Sequence, residues 1–121
     1  MTTQQIADRL VNLLRAKKFI EAQTELYHKD IWSREPQNHP FPLLKGKARL
    51  IEKERQFLKA IRTWHEFKVS EPLVSRDYFS ICMYTHVDLS TDRTIEIDEI
   101  IVYGVDNDKI ISERFFYKTN E

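Results

Sequence analysis

Two glutamates on strand-like segments are the residues of this chain whose type and spacing could do chemistry. They lie in the stretch Thr94 to Tyr117, TIEIDEIIVYGVDNDKIISERFFY, where apolar residues alternate on either side of a Val105-Asp106-Asn107-Asp108-Lys109 turn. Counting by twos, Glu99 shares a face with Ile95, Ile97, Ile101, Tyr103 and Val105, and Glu113 shares one with Ile111, Phe115 and Tyr117. Burying a lone ionised carboxylate costs several kcal/mol or shifts its pKa, so these positions point to a paired network or a lined cavity. Set across from each other in antiparallel register, the two acids could not both ionise easily. One pKa would then rise into the range useful for proton transfer. The alternative is a structural network in which Arg76, Arg93 or Arg114 neutralises them.

Other candidates accompany this pair. Glu35, His39 and Trp32 fall in a proline-containing segment that reads as a rim or lid, or as a surface connector with Trp32 plugged into the core. His86, in step with Tyr84, has an ordinary pKa near neutrality and reads as an acid-base group, or as a histidine satisfied within a sheet. Glu71 keeps step with Phe67, Val69 and Leu73 and would add a third acid, unless Pro72 breaks the parity and leaves an edge charge. Trp32, Trp64, Tyr103 and Phe115 would supply flat apolar wall for a ring-bearing ligand, or ordinary core. Histidines at 28, 39, 65 and 86 show no short metal-ligand spacing such as H-E-x-x-H, and no serine stands in G-x-S-x-G. With glycine only at 46 and 104 there is no phosphate loop. No metal and no cofactor is expected.

The elements that position these residues follow from periodicity. Thr2 with Gln5 forms a capping box ahead of Ile6, Leu10, Leu13 and Leu14, predicting a helix to about Ala16. Phe19, Ala22, Gln23, Leu26 and Tyr27 predict a second helix ending near His28-Lys29-Asp30. From Ile31 to Leu44, prolines 36, 40 and 42 exclude a regular helix or central strand, leaving a short strand and a loop. Gly46 opens a third helix with Leu50, Ile51, Phe57, Leu58 and Ile61 on one side. Its other side, with Lys47, Arg49, Glu52, Lys53, Arg55 and Lys59, reads as a solvated face. After Trp64 the period becomes two: a strand through Phe67, Val69 and Leu73, a Ser75-Arg76-Asp77 turn, a strand from Tyr78 to Leu89 apolar on both faces, a turn at Ser90 to Arg93, and the two strands above. Helices followed by four long antiparallel strands make an α+β chain, read as a single domain over residues 1–121.

Composition narrows the function classes. Nineteen basic residues balance nineteen acidic ones, so nothing in the net charge favours nucleic acid. The N-terminal MTTQQIADRL lacks a basic start followed by an apolar run, and no stretch of about 18 apolar residues occurs. Cys82 alone forms no intrachain disulfide and is expected as a small core residue in a reducing compartment. A cytoplasmic protein that binds neither membrane nor nucleic acid is expected.

The Leu26-Tyr27-His28-Lys29-Asp30 helix end, the Ser33-Arg34-Glu35-Pro36 step, Gly46 at the third helix and the closing Lys109 to Tyr117 segment, in that order, resemble the nuclear transport factor two and SnoaL-like polyketide cyclase superfamily. The resemblance covers nearly the whole chain. It implies a curved, mostly antiparallel sheet wrapped around N-terminal helices into a cone with an internal cavity, and a homodimer through the outer sheet face. Ketosteroid isomerase is the nearest catalytic template within it. Against that template Asp98 or Glu99 falls near the protonated acid and Glu35 near the base, while Tyr27 ends the second helix where the template's tyrosine stands on the first.

Two function classes follow. One is binding of a small apolar or aromatic organic molecule, with cofactor-free isomerisation, cyclisation or dehydration by Glu99, Glu113, Glu35 or His86. In it Trp32, His39, Trp64, Glu71, Tyr84, Tyr103 and Phe115 line the ligand. The other is a non-catalytic ligand carrier or protein-interaction subunit.

Overall fold

A computed structural model describes residues 1–118. In chain order the elements are α1 (Thr3–Arg15), α2 (Phe19–Leu26), β1 (Tyr27–Arg34), β2 (Leu43–Lys45), α3 (Lys47–Ala60), β3 (Ile61–Val69), β4 (Leu73–Val74), β5 (Tyr78–Leu89), β6 (Thr94–Asp106) and β7 (Lys109–Phe116). The strands form one curved, open sheet of order β2-β1-β7-β6-β5-β3, with β4 on β5. All described pairings are antiparallel except β1 with β7. The fold is α+β, as the order of periodicities predicts.

The helices cover the concave face. The Thr2 hydroxyl accepts from the Gln5 amide and the Gln5 side chain accepts from the Thr2 amide, satisfying two orphan donors at the start of α1. Ile6, Ala7, Leu10, Val11, Leu13 and Leu14 are then buried against Phe79, Ile81, Ile101, Tyr103 and Ile110 of the sheet. Among the described residues no helix is long and apolar enough to cross a membrane.

Two local devices set the register of β6 and β7. Asn107 and Asp108, at φ 49° and 64°, turn β6 into β7 with the left-handed backbone that tight hairpins require. A register shift between Gly104 and Val105 then lets Ile110 and Glu113 both point inward. Ile111 therefore does not share the inner face with Glu113, as strict alternation predicted. A Cβ at Gly104 would stand 2.5 Å from the Ser112 Oγ, so the serine hydroxyl would have to move to admit it.

The structure moves several expected boundaries. α2 stops at Leu26, and β1 begins at Tyr27 with no loop, because parallel pairing with β7 supplies backbone partners that local sequence does not reveal. Leu43–Lys45, expected as loop, is a short strand on β1. α3 ends at Ala60, so Ile61 begins β3. Cys82 is exposed on the outer face of β5 rather than in the core.

Candidate functional site

The inner face of β6 and β7 meets α2, α3 and the start of β1 around a cavity of about 70 Å³. Its wall includes Gln23, Tyr27, Glu54, Phe57, Trp64, Tyr103, Glu113 and Phe115. Glu113 is the centre of its polar part. Tyr27 and Ser33 both come from β1, which pairs in parallel beside β7 and sets Ser33 next to Glu113. The Tyr27 hydroxyl donates to Glu113 Oε1 and the Ser33 hydroxyl donates to Oε2 at 3.0 Å. Glu113 is only 3% exposed, and burial pushes its carboxyl up to about 7, against the pull of these two donors and of Lys53.

Glu99 stands on the same face of β6, but not opposite Glu113. The residue across from Glu113 is Tyr103, and Glu99 lies two inward positions further along β6. It is buried, and no side chain among the described residues hydrogen-bonds it. Burial first, then the negative charges of Glu35, Glu113 and Glu54, raise it to about 8, so at neutral pH it is mostly protonated. Burial and the nearby carboxylates hold the Tyr103 and Tyr27 phenols well above their ordinary value, so both remain hydrogen-bond donors at neutrality.

Two residues of α3 complete the group. Glu54 accepts from Gln23 Nε2 at 3.1 Å, and its carboxyl is raised chiefly by burial. Lys53 donates to Glu35 at 3.1 Å, and the Tyr117 hydroxyl donates to the other Glu35 oxygen at 3.0 Å. Four carboxyls thus share one ammonium. The Gln23 Oε1 is buried without a partner among the described residues, an acceptor that a ligand or water would satisfy. No described group of three or more His, Cys, Asp or Glu is arranged to hold a metal ion.

The expected site residues divide. Glu113, Tyr103, Trp64 and Phe115 line the cavity, with Glu99 and Glu35 on the same side of the sheet beyond it. Trp64 stacks on Phe19, with ring centroids 5.9 Å apart. Tyr84 and His86 point the other way, because β5 alternates and its inward residues are Phe79, Ile81, Met83, Thr85 and Val87. The Tyr84 hydroxyl donates to Glu96, and the His86 ring lies 4.7 Å from that of His65, all on the outer face. Trp32 also faces outward, beneath the guanidiniums of Arg34 and Arg114. His39 accepts from the Phe41 amide within the loop after β1. Glu71 is exposed between β3 and β4 and pairs with Arg15 at 3.3 Å, since Pro72 ends the alternation. Arg76, Arg93 and Arg114 form no ion pair with Glu99 or Glu113.

Ser33, Gln23, Lys53 and Glu54 belong to the site without having been singled out, and Tyr27, named only as out of place against the isomerase template, is a donor to Glu113. Glu54 carried a signal: it follows Leu50 by four residues and precedes Phe57 and Leu58 by three and four, so it falls on the buried stripe of α3. Lys53, read as solvated, is paired with Glu35 instead.

Comparison with known proteins agrees with this architecture. The SnoaL-like domain family matches residues 1–117. A structure from Mesorhizobium loti, assigned to the SnoaL-like polyketide cyclases, is 30% identical with a TM-score of 0.88, covering 97% of this chain and 100% of its own. A Xanthomonas campestris protein of unknown function with a cystatin-like fold superposes with a TM-score of 0.80 at 16% identity, covering 98% and 92%. A Rhodopseudomonas palustris protein assigned as an isomerase gives 0.67 at 18% identity, covering 91% and 84%. The last two likenesses show the fold alone. No curated protein matches the chain. The match along residues 1–117, together with the Mesorhizobium relative, shows that the chain belongs to the SnoaL-like domain family.

Proposed function

We propose that this protein binds a small apolar or aromatic carbonyl compound in its cavity and moves a proton on it without a cofactor. The observation that carries this reading is the unequal state of two buried acids on one face: Glu113 is held by two hydroxyl donors, and Glu99 has none. The donors favour the ionised form of Glu113, so it is the base. Protonated Glu99 or the Tyr103 phenol is the hydrogen-bond donor to the carbonyl oxygen. Glu113 takes the proton from the carbon next to the carbonyl, and the C–H electron pair becomes the carbon–carbon bond of an enolate. Return of that proton at another carbon is an isomerisation. His86, on the outer face, takes no part. A cavity of about 70 Å³ admits the reactive end or a small ring rather than a large scaffold.

The test is hydrogen exchange. In D2O, cyclic ketones and enones should lose α-protons to deuterium faster with protein than with buffer, and Glu113→Gln should abolish the difference. Equal rates for wild type and variant would sink the catalytic reading. A carrier without catalysis is the second reading, favoured by the hydrogen bonds already occupying both Glu113 oxygens. We also propose a homodimer across the outer face, where Tyr78 and Ile100 remain exposed. Sedimentation giving a monomer mass at micromolar concentration would refute it.

A further inference from the structure

Arg34 and Arg114 stand directly opposite each other on the outer face, as register partners of the parallel β1·β7 pair. Their flanks carry no acid. Across β2 the neighbour of Arg34 is Leu43, and across β6 the neighbour of Arg114 is Val102. One step back along β1, the neighbour of Trp32 across β2 is Lys45, a further cation. Both guanidiniums lie over the Trp32 ring, at 5.6 and 5.8 Å from its centroid, and neither forms an ion pair among the described residues. Like charges directly opposed across two strands destabilise a sheet unless a counter-charge bridges them.

The space beside them fits a bridging ligand. Arg34, Arg114 and Lys118 line an open groove of about 530 Å³ with Gln37, Phe116 and Tyr117, and it reaches round the end of the sheet to Phe115 of the cavity wall. The one carboxylate on its wall, Glu35, is already engaged by Lys53 and Tyr117. Two guanidiniums carried by opposed register positions offer forked N–H donors that suit the oxygens of a carboxylate or phosphate. We infer that this groove is a binding site for a small aromatic oxyanion: the anion is held between Arg34 and Arg114, and its ring lies against Phe116. This assignment does not depend on the chemistry proposed for Glu113.

Titration calorimetry of the full chain with benzoate, phenyl phosphate and neutral benzamide tests it. Benzoate or phenyl phosphate should bind, with the stronger of the two naming the oxyanion, and benzamide should not. Arg34→Gln and Arg114→Gln should each weaken that binding about ten-fold or more, the loss of one charge-assisted contact. Glu113→Gln and Tyr103→Phe should leave it unchanged. Circular dichroism of the arginine variants should match wild type, since both side chains are exposed. The inference is overturned if neither anion binds at millimolar concentration, if benzamide binds equally well, or if the cavity variants weaken binding and the arginine variants do not. It is also overturned if the arginine substitutions change the sedimenting mass while no anion binds, which would make the counter-charge a second copy's carboxylate.

Discussion

Replacing Glu99 by glutamine should change stability in a way that depends steeply on pH. In the folded chain the Glu99 carboxyl titrates near 8, against an ordinary 4.5. Between those values the folded state holds a proton that the unfolded state releases, so wild-type stability falls as pH rises. Worked from these two values, the Glu99 contribution against folding is about 1 kcal/mol at pH 5, about 3 at pH 7 and about 5 at pH 9. Glutamine is close in shape to the protonated acid and does not titrate. Glu99→Gln should therefore match wild type to within about 1 kcal/mol at pH 5 and exceed it by several kcal/mol at pH 9. Urea unfolding at the three pH values measures the difference, and carbon-13 NMR of the Glu99 carboxyl measures the titration directly. A difference that stays flat from pH 5 to 9, or a carboxyl titrating near 4.5, would refute the claim that Glu99 is buried without a hydrogen-bond donor.

Tyr27→Phe removes one of the two donors to Glu113, so the Glu113 carboxyl should titrate above its present value of about 7 by NMR. Its cost, about 1.5–3 kcal/mol in urea unfolding, should be larger at pH 9 than at pH 5, because the lost bond serves the ionised form. Gly104→Ala sets a methyl group into the Ser112 hydroxyl and should cost about 1–3 kcal/mol, partly recovered in the double variant with Ser112→Gly. Thr2→Ala breaks the capping box of α1 and should lower stability by about 1 kcal/mol, a drop of several degrees in Tm. Asp92→Asn loses only the exposed pair with Arg62, so its unfolding midpoint should stay within experimental error of wild type.

The periodicities that revealed the fold are those of residues packed on one side. Leu10 and Leu14 of α1, or Phe79 and Ile81 of β5, show their face by spacing because burial alone selects them. Glu99 and Glu113 were legible for the same reason, as acids in apolar rows. Their relation to each other was misread, because the Asn107-Asp108 turn already sets the two glutamates several positions apart, and the shift beside Gly104, a glycine inside a strand, then sets Tyr103 opposite Glu113. His86 and Tyr84 misled because β5 has aromatic and apolar residues on both faces, so parity could not say which row pointed inward. Tyr27 and Ser33 were hidden by distance along the chain, since only the parallel β1·β7 pairing brings them to Glu113.

That pairing also bears on the order in which the molecule is made. Tyr27 and Ser33 reach Glu113 across 86 and 80 residues, so closing those contacts loses more chain entropy than forming any of the neighbouring hairpins. β5, β6 and β7 join through short turns and can assemble early. β1 must wait, during synthesis, until β7 has emerged from the ribosome. If those contacts close after the folding transition state, substitutions at Ser33 should speed unfolding while leaving the folding rate nearly unchanged. A chain cut short before β7 would retain its helices and most of its sheet-forming sequence, yet have neither the glutamate nor anything to hold.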